Sequence, residues 1–223
     1  MVNMKLYKTL DASGNSCNGG TGEWFLPTKK KDGTWKPGKW MPAIKGELVP
    51  CQNGYHLCRS QDLLSWLNVA IYEAEYKGEI IRDVDKVVVR QARLLRRCEK
   101  WNEKTARLFA ADCAEHILYL FEEKYPEDNR PRKAILACRD YANGKIDEKK
   151  LCAAEAAAWD AVRDVAWAAV GAAAWASAWA TTVAAAGAWA GAAARDAARA
   201  TTEATAEAIE RKWQINKLRK LLK

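Results

Sequence analysis

The stretch VAWAAVGAAAWASAWATTVAAAGAWAGAAA, residues 165–194, holds no charged side chain, and its reading decides what kind of protein the chain is. Alanine gives up no side-chain entropy on entering a helix and is the strongest helix former. From Ala153 to Ala208, 29 of 56 residues are alanine, so helix is expected here. A membrane span needs ~20 apolar residues, usually rich in Leu, Ile and Phe, with aromatic rings at its two ends. This window has none of those three, and it carries Ser177, Thr181, Thr182 and three glycines. Trp175 and Trp179 stand in its middle. Closely packed helices of a soluble bundle are therefore expected, with indoles taking the volume that several leucines would otherwise fill.

One helix from residue 148 to 222 would run about 110 Å at 1.5 Å per residue, too long for a compact domain. Gly171 and Gly187 are the expected breaks, giving helices over 148–170, 172–186 and 188–222. On a helical wheel Trp167, Trp175, Trp179 and Trp189 spread over about 120°, too wide for a single seam. Some of these rings, Trp167 and Trp175 first, are candidates to line a ligand pocket.

Upstream of the tract the pattern is also helical. KTARLFAADCAEHILYLFEEKY spaces Leu108, Phe109, Cys113, His116, Ile117, Leu120 and Phe121 three and four apart, and the helix is expected to stop before Pro126. PRKAILACRDYANGK reads as a second helix, with Pro131 in its first turn and Gly144 at its end. Asp147 is the expected N-cap of a third. The closing ERKWQINKLRKLLK is a basic amphipathic helix.

The first hundred residues read differently. They hold most of the prolines and glycines, and short runs end at turn residues. Strands are expected over Met4–Leu10, before and after the Asn53-Gly54 turn, around Ile80, and over Val87–Leu95. RSQDLLSWLNVAIYEAEY reads as a helix, with Ser60 as its cap and Leu63, Leu64, Leu67, Ala70 and Ile71 along one side. The class is therefore α+β, with a small mixed α/β domain over residues 1–98 and an Ala/Trp-rich all-α bundle over residues 99–223.

The formal charge of +8 points to an anionic partner. Seven cysteines stand singly, and the first eighteen residues lack an apolar run, so a cytoplasmic protein with reduced thiols is expected. The sequence holds no phosphate-binding glycine loop, zincin helix, nucleophile elbow or paired CxxC. No cofactor and no metal are expected, since Cys51, His56 and Cys58 lack a fourth ligand at usual spacing. Two clusters are candidates for ligand binding. One is Tyr55 and His56, beside the Asn-Gly turn. The other is Arg107, Asp112 and His116 with Arg130 and Arg132, where Asp112 and His116 share a helix face and the arginines suit an anion.

Asn53-Gly54-Tyr55-His56 within CQNGYHLC resembles an uncharacterised domain common in bacteriophage proteins. Cys113-Ala114-Glu115-His116 and Arg130-Pro131-Arg132, followed by the alanine-rich tail, resemble the helical family labelled putative immunity proteins. The first resemblance implies a viral gene product. The second implies a binder rather than a catalyst. Together they imply a non-enzymatic protein of immune evasion or anti-defence that sequesters an anionic nucleotide-derived signal. The alternative is an inhibitor or immunity protein that binds a defence effector, nuclease or toxin. A further alternative is a nucleotide-processing enzyme related to ADP-ribosyl transfer folds, worked by Tyr55 and His56. The basic tail keeps nucleic acid and a second copy of the chain among the partners to test, whereas no membrane is expected.

Overall fold

The computed structural model describes residues 4–17, 20, 22–163, 186–200 and 204–223. Helices and strands are both present, in keeping with an α+β chain. The chain divides into two compact units, Met1–Glu99 and Lys100–Lys223.

The first unit contains β1 (Leu6–Leu10), β2 (Thr28–Lys29), β3 (Trp35–Lys36), β4 (Tyr55–Arg59), α1 (Leu63–Trp66), β5 (Ala70–Arg82) and β6 (Val87–Arg97). Four of the strands close a barrel in the order β1-β4-β6-β5, with β5 returning to β1 and every neighbouring pair antiparallel. β2 and β3 form a separate hairpin. Two register irregularities between β5 and β6, at Glu73/Ala74 and Lys77/Ile80, bend the long strands enough for four to close. Leu6, Leu10, Leu57, Tyr72, Val87, Val89 and Leu94 fill the interior together with Trp24 and Met41 from the loops.

The helix expected from Ser60 to Ile71 needs correction: only Leu63–Trp66 is helical. Leu67 turns to an extended conformation at φ −53°, ψ 136°, and Ala70 begins β5. The apolar spacing fits a helix, but Ala70–Ala74 pair residue for residue with β1 and bury on the barrel. Tertiary pairing outweighs local periodicity here. The strand expected around Ile80 is the far end of the same β5 rather than a separate element. Before the Asn-Gly turn there is only an isolated bridge between Val49 and Asn53.

The second unit contains α2 (Glu103–Ile117), α3 (Tyr119–Glu122), α4 (Arg130–Ala142), α5 (Glu148–Arg163), α6 (Ala186–Ala200) and α7 (Ala204–Leu221). A capping box starts α2, where Asn102 Oδ1 accepts from Thr105 N at 3.1 Å and Thr105 Oγ1 accepts from Asn102 N at 3.0 Å. The helix ends at Ile117 instead of running on to Pro126, and α3 makes a separate turn. Gly144, at φ +71°, lets the Gly144 and Lys145 amides donate to the carbonyls of Tyr141 and Asp140, which closes α4. Asp147 caps α5 through Lys150 N at 2.9 Å.

α2 packs against α4 and α6, and α4 against α5. Its buried side is mostly small, with Ala106, Ala110, Ala111 and Ala114 beside Phe109, Cys113 and Ile117. The facing side of α6 is smaller still, with Ala190, Ala193, Ala194, Ala197 and Ala198 buried, so the two backbones approach closely. Gly187 lies in the first turn of α6, and the residues before Ala186 fall outside the described ones. Gly171 and the indoles of Trp167, Trp175 and Trp179 fall outside the described residues. No helix among the described residues is long and apolar enough to cross a membrane.

Candidate functional site

Two places gather chemistry, one in each unit. In the helical unit the buried stripe of α7 is Glu210, Gln214 and Leu218, continued by Leu222 just past its end, four residues apart. Two of these are polar, and both are satisfied. Gln214 Nε2 donates to Ala194 O at 2.9 Å and to Glu210 Oε1 at 2.8 Å. The other Glu210 oxygen lies 2.5 Å from His116 Nδ1. His116 in turn stacks on Trp213, with ring centroids 3.9 Å apart and planes inclined by 10°. Lys217 covers the same indole at 5.0 Å and pairs with Asp112 at 2.6 Å.

Asp112 also receives Arg139 of α4 at 2.7 Å, and Arg139 reaches Glu115 at 2.6 Å. That double engagement raises the Arg139 pKa further and holds the Glu115 carboxyl below its usual range. Asp112 and His116 thus share one face of α2 and meet α7 together. Around this network large apolar side chains stay in solvent: Ile209 is 68% exposed and Tyr119 51%. Ile209 precedes Trp213 by one helical turn. Tyr119 follows His116 by three residues through Leu118, whose backbone is helical. The stacked pair links α2 to α7, the two segments next to which these exposed side chains stand in sequence.

The remaining arginines of the expected cluster have separate carboxylate partners. Arg107 is buried, pairs with Glu103 at 3.1 Å and lies over Tyr141 at 5.0 Å. Arg130 pairs with Asp128 at 2.6 Å, and Arg132 with Glu122 at 2.5 Å. Trp167 and Trp175 lie outside the described residues.

In the barrel unit, Tyr55 and His56 border a cavity of about 460 Å³. β1 and β4 pair through Leu6↔Arg59 and Tyr7↔Cys58, and the cavity lies beside the later residues of β1 and the first residues of β4. Lys8 sits between the inward Leu6 and Leu10 of β1, so alternation turns it to the same side as the core. Its ammonium donates to His56 O at 3.3 Å and stands 5.1 Å from the Trp24 ring. Burial holds its pKa below the usual lysine value.

The CQNGYHLC motif builds the wall of this cavity. Cys51 takes a left-handed conformation at φ 64°, and its amide donates to His56 Nε2 at 2.9 Å. That lone pair being occupied, the neutral ring carries its proton on Nδ1. Burial first, then the charges of Lys8 and Lys86, lower the His56 pKa. The Asn53 amide ties down the preceding loop by donating to Lys45 O at 3.0 Å and Glu47 O at 2.7 Å. Gly54 is required: it stands at φ +142°, and a Cβ there would meet Val88 Cγ1 at 2.3 Å. Tyr55 donates to Pro42 O at 2.8 Å and sets its ring edge-on to Trp24. Burial pushes the Cys58 thiol up to about 12. Among the described residues no group of three or more His, Cys, Asp or Glu is arranged to hold a metal ion.

A family model described as Imm-5 like putative immunity protein matches residues 96–221, the length of the helical unit. The chain belongs to that family. No curated protein and no solved structure matches the chain. The immunity-family segment therefore carries the His116–Trp213 pair and the Asp112–Arg139–Lys217 network, while the barrel cavity lies outside it.

Sequence reasoning found Asp112 and His116 but missed Glu210, Trp213 and Lys217, which only helix packing brings to them. A signal was present, since Glu210 and Gln214 occupy polar steps in an otherwise apolar four-residue stripe. Lys8, Trp24 and Lys86 were missed in the barrel. The signal for Lys8 was a lone lysine on the apolar side of an alternating strand.

Proposed function

We propose that the protein is a non-enzymatic immunity-type inhibitor whose helical unit binds and blocks an effector protein such as a nuclease or toxin. The observation that carries this reading is the exposed His116 stacked on a half-buried Trp213, with the exposed Tyr119 and Ile209 on the same two segments, within the stretch assigned to the immunity family. Interface energy concentrates in aromatic and arginine side chains at the centre of a contact, ringed by polar groups that exclude water. These side chains have that composition. Trp213 is held flat by His116 on one side and Lys217 nearby, so little side-chain entropy is left to lose on binding. Asp112, Arg139 and Glu115 supply a polar rim.

Sequestration of a nucleotide-derived signal by the helical arginines is the less favoured reading, because Arg107, Arg130 and Arg132 already have carboxylate partners. The test is affinity purification from the cells in which the protein acts, with the wild-type chain beside a Trp213→Ala/Ile209→Asp variant. A stoichiometric protein retained by the wild type, lost by the variant and inhibited when the purified chain is added back supports the proposal. Retention unaffected by the double substitution, or no stoichiometric protein at all, overturns it.

A further inference from the structure

We propose that the cavity of the barrel unit binds a small organic phosphate, a monoester carrying a flat ring. The cavity lies in a different unit from the effector-binding site, and its ligand does not depend on that site. The first ground is charge. Two ammonium groups, Lys8 and Lys86, border the cavity, and none of its described lining residues is Asp or Glu. Lys86 is balanced from outside by Asp83 at 3.2 Å and Asp85 at 3.1 Å. Lys8 has no carboxylate within ion-pair distance among the described residues; its contacts are the His56 carbonyl and the Trp24 ring. A cation placed on the core side of a strand without a counter-ion is costly, and a bound anion removes that cost.

The second ground is donor geometry. His56 Nε2 accepts from the Cys51 amide, which leaves Nδ1–H as a donor with no partner among the described residues. Point-like ammonium groups and single N–H donors suit the tetrahedral oxygens of a phosphate. A carboxylate would favour the planar fork of an arginine, and none of the described lining residues is an arginine. The third ground is shape. The volume of about 460 Å³ falls in the range of small-molecule sites, and Trp24, Tyr55 and Trp66 supply aromatic walls. Cys58 takes no part, since burial keeps it a thiol.

The experiment uses the purified full-length chain and three probes: adenosine monophosphate, adenosine and inorganic phosphate. Titration calorimetry is expected to give saturable binding of the monophosphate at least tenfold tighter than of adenosine. Lys8→Met should weaken it at least tenfold while leaving the melting temperature unchanged or raised, because a half-buried ammonium without a carboxylate partner among the described residues is removed from the cavity wall. The indole N–H resonances of Trp24 and Trp66 should shift in the wild-type chain on titration, which reads the site without any substitution. No binding of the monophosphate at millimolar concentration overturns the proposal. So does adenosine binding equally well, or a folded Lys8→Met chain that binds like the wild type.

Discussion

Replacing Glu210 by alanine tests whether the α2–α7 network is a designed support or an incidental contact. Glu210 is 3% exposed and has both oxygens engaged, one by Gln214 at 2.8 Å and one by His116 at 2.5 Å. Gln214 is itself buried, and its amide nitrogen would keep only the bond to Ala194 O. A buried donor deprived of a partner costs ~1–3 kcal/mol. The deleted carboxylate arm adds ~1 kcal/mol for the space it leaves. Losing the bond to His116 costs less, because that ring is partly exposed and water replaces the carboxylate. Relief from burying a charged group offsets part of the total. The expected loss for Glu210→Ala is therefore about 2–3 kcal/mol. Glu210→Gln keeps the volume and one acceptor, and about 1 kcal/mol is expected. Urea denaturation followed by far-ultraviolet circular dichroism reads this, because the helical unit dominates that signal. A Glu210→Ala chain as stable as the wild type would refute the reasoning. Equal losses for the two substitutions would refute it as well, since the expected difference rests on retained hydrogen bonding.

Gly54→Ala should destabilise the barrel by ~2–4 kcal/mol, because the new methyl group overlaps Val88 Cγ1 in a backbone conformation that L-residues avoid; thermal melting checks this. Alkylation at pH 8 followed by peptide mass spectrometry should label the exposed Cys51 and Cys152 first, leaving Cys58, Cys113 and Cys138 unmodified while the chain is folded. Burial raises all three protected thiols, Cys58 and Cys138 to about 12. Burial would raise the Glu73 carboxyl, but hydrogen bonds from Arg96 and Lys5 outweigh it and hold the pKa below the ordinary glutamate value of 4.5. Because the folded value is the lower one, the stabilisation is present above pH 4.5 and is lost as pH falls through the folded pKa. Glu73→Gln should flatten that acid-side dependence, as read from near-ultraviolet circular dichroism during acid titration.

Features written in a few adjacent residues are legible in the sequence itself. Asp147 caps α5 and Gly144 closes α4, because both signals depend on backbone groups within one turn. Asp112 and His116 share a face because a helix fixes positions four apart. Reading fails where distant segments compete. Leu63 to Ile71 has helical spacing, yet hydrogen bonding to β1 and β6 takes Ala70 onward into a strand.

By itself, then, the sequence determined the helical character of the described parts of the alanine-rich half, the caps and turns, the basic charge and one face of the candidate site. All of these follow from side-chain entropy, backbone geometry and local periodicity. Tertiary structure alone decided that β1, β4, β6 and β5 close on one another and that Lys8 borders a cavity with Tyr55, His56 and Trp24. It also decided that Glu210 and Trp213 arrive beside His116 from 94 and 97 residues away. Such contacts carry no local signature. They form when burial and hydrogen bonding across the fold outweigh the entropy of bringing remote segments together, and that balance depends on every strand and helix at once.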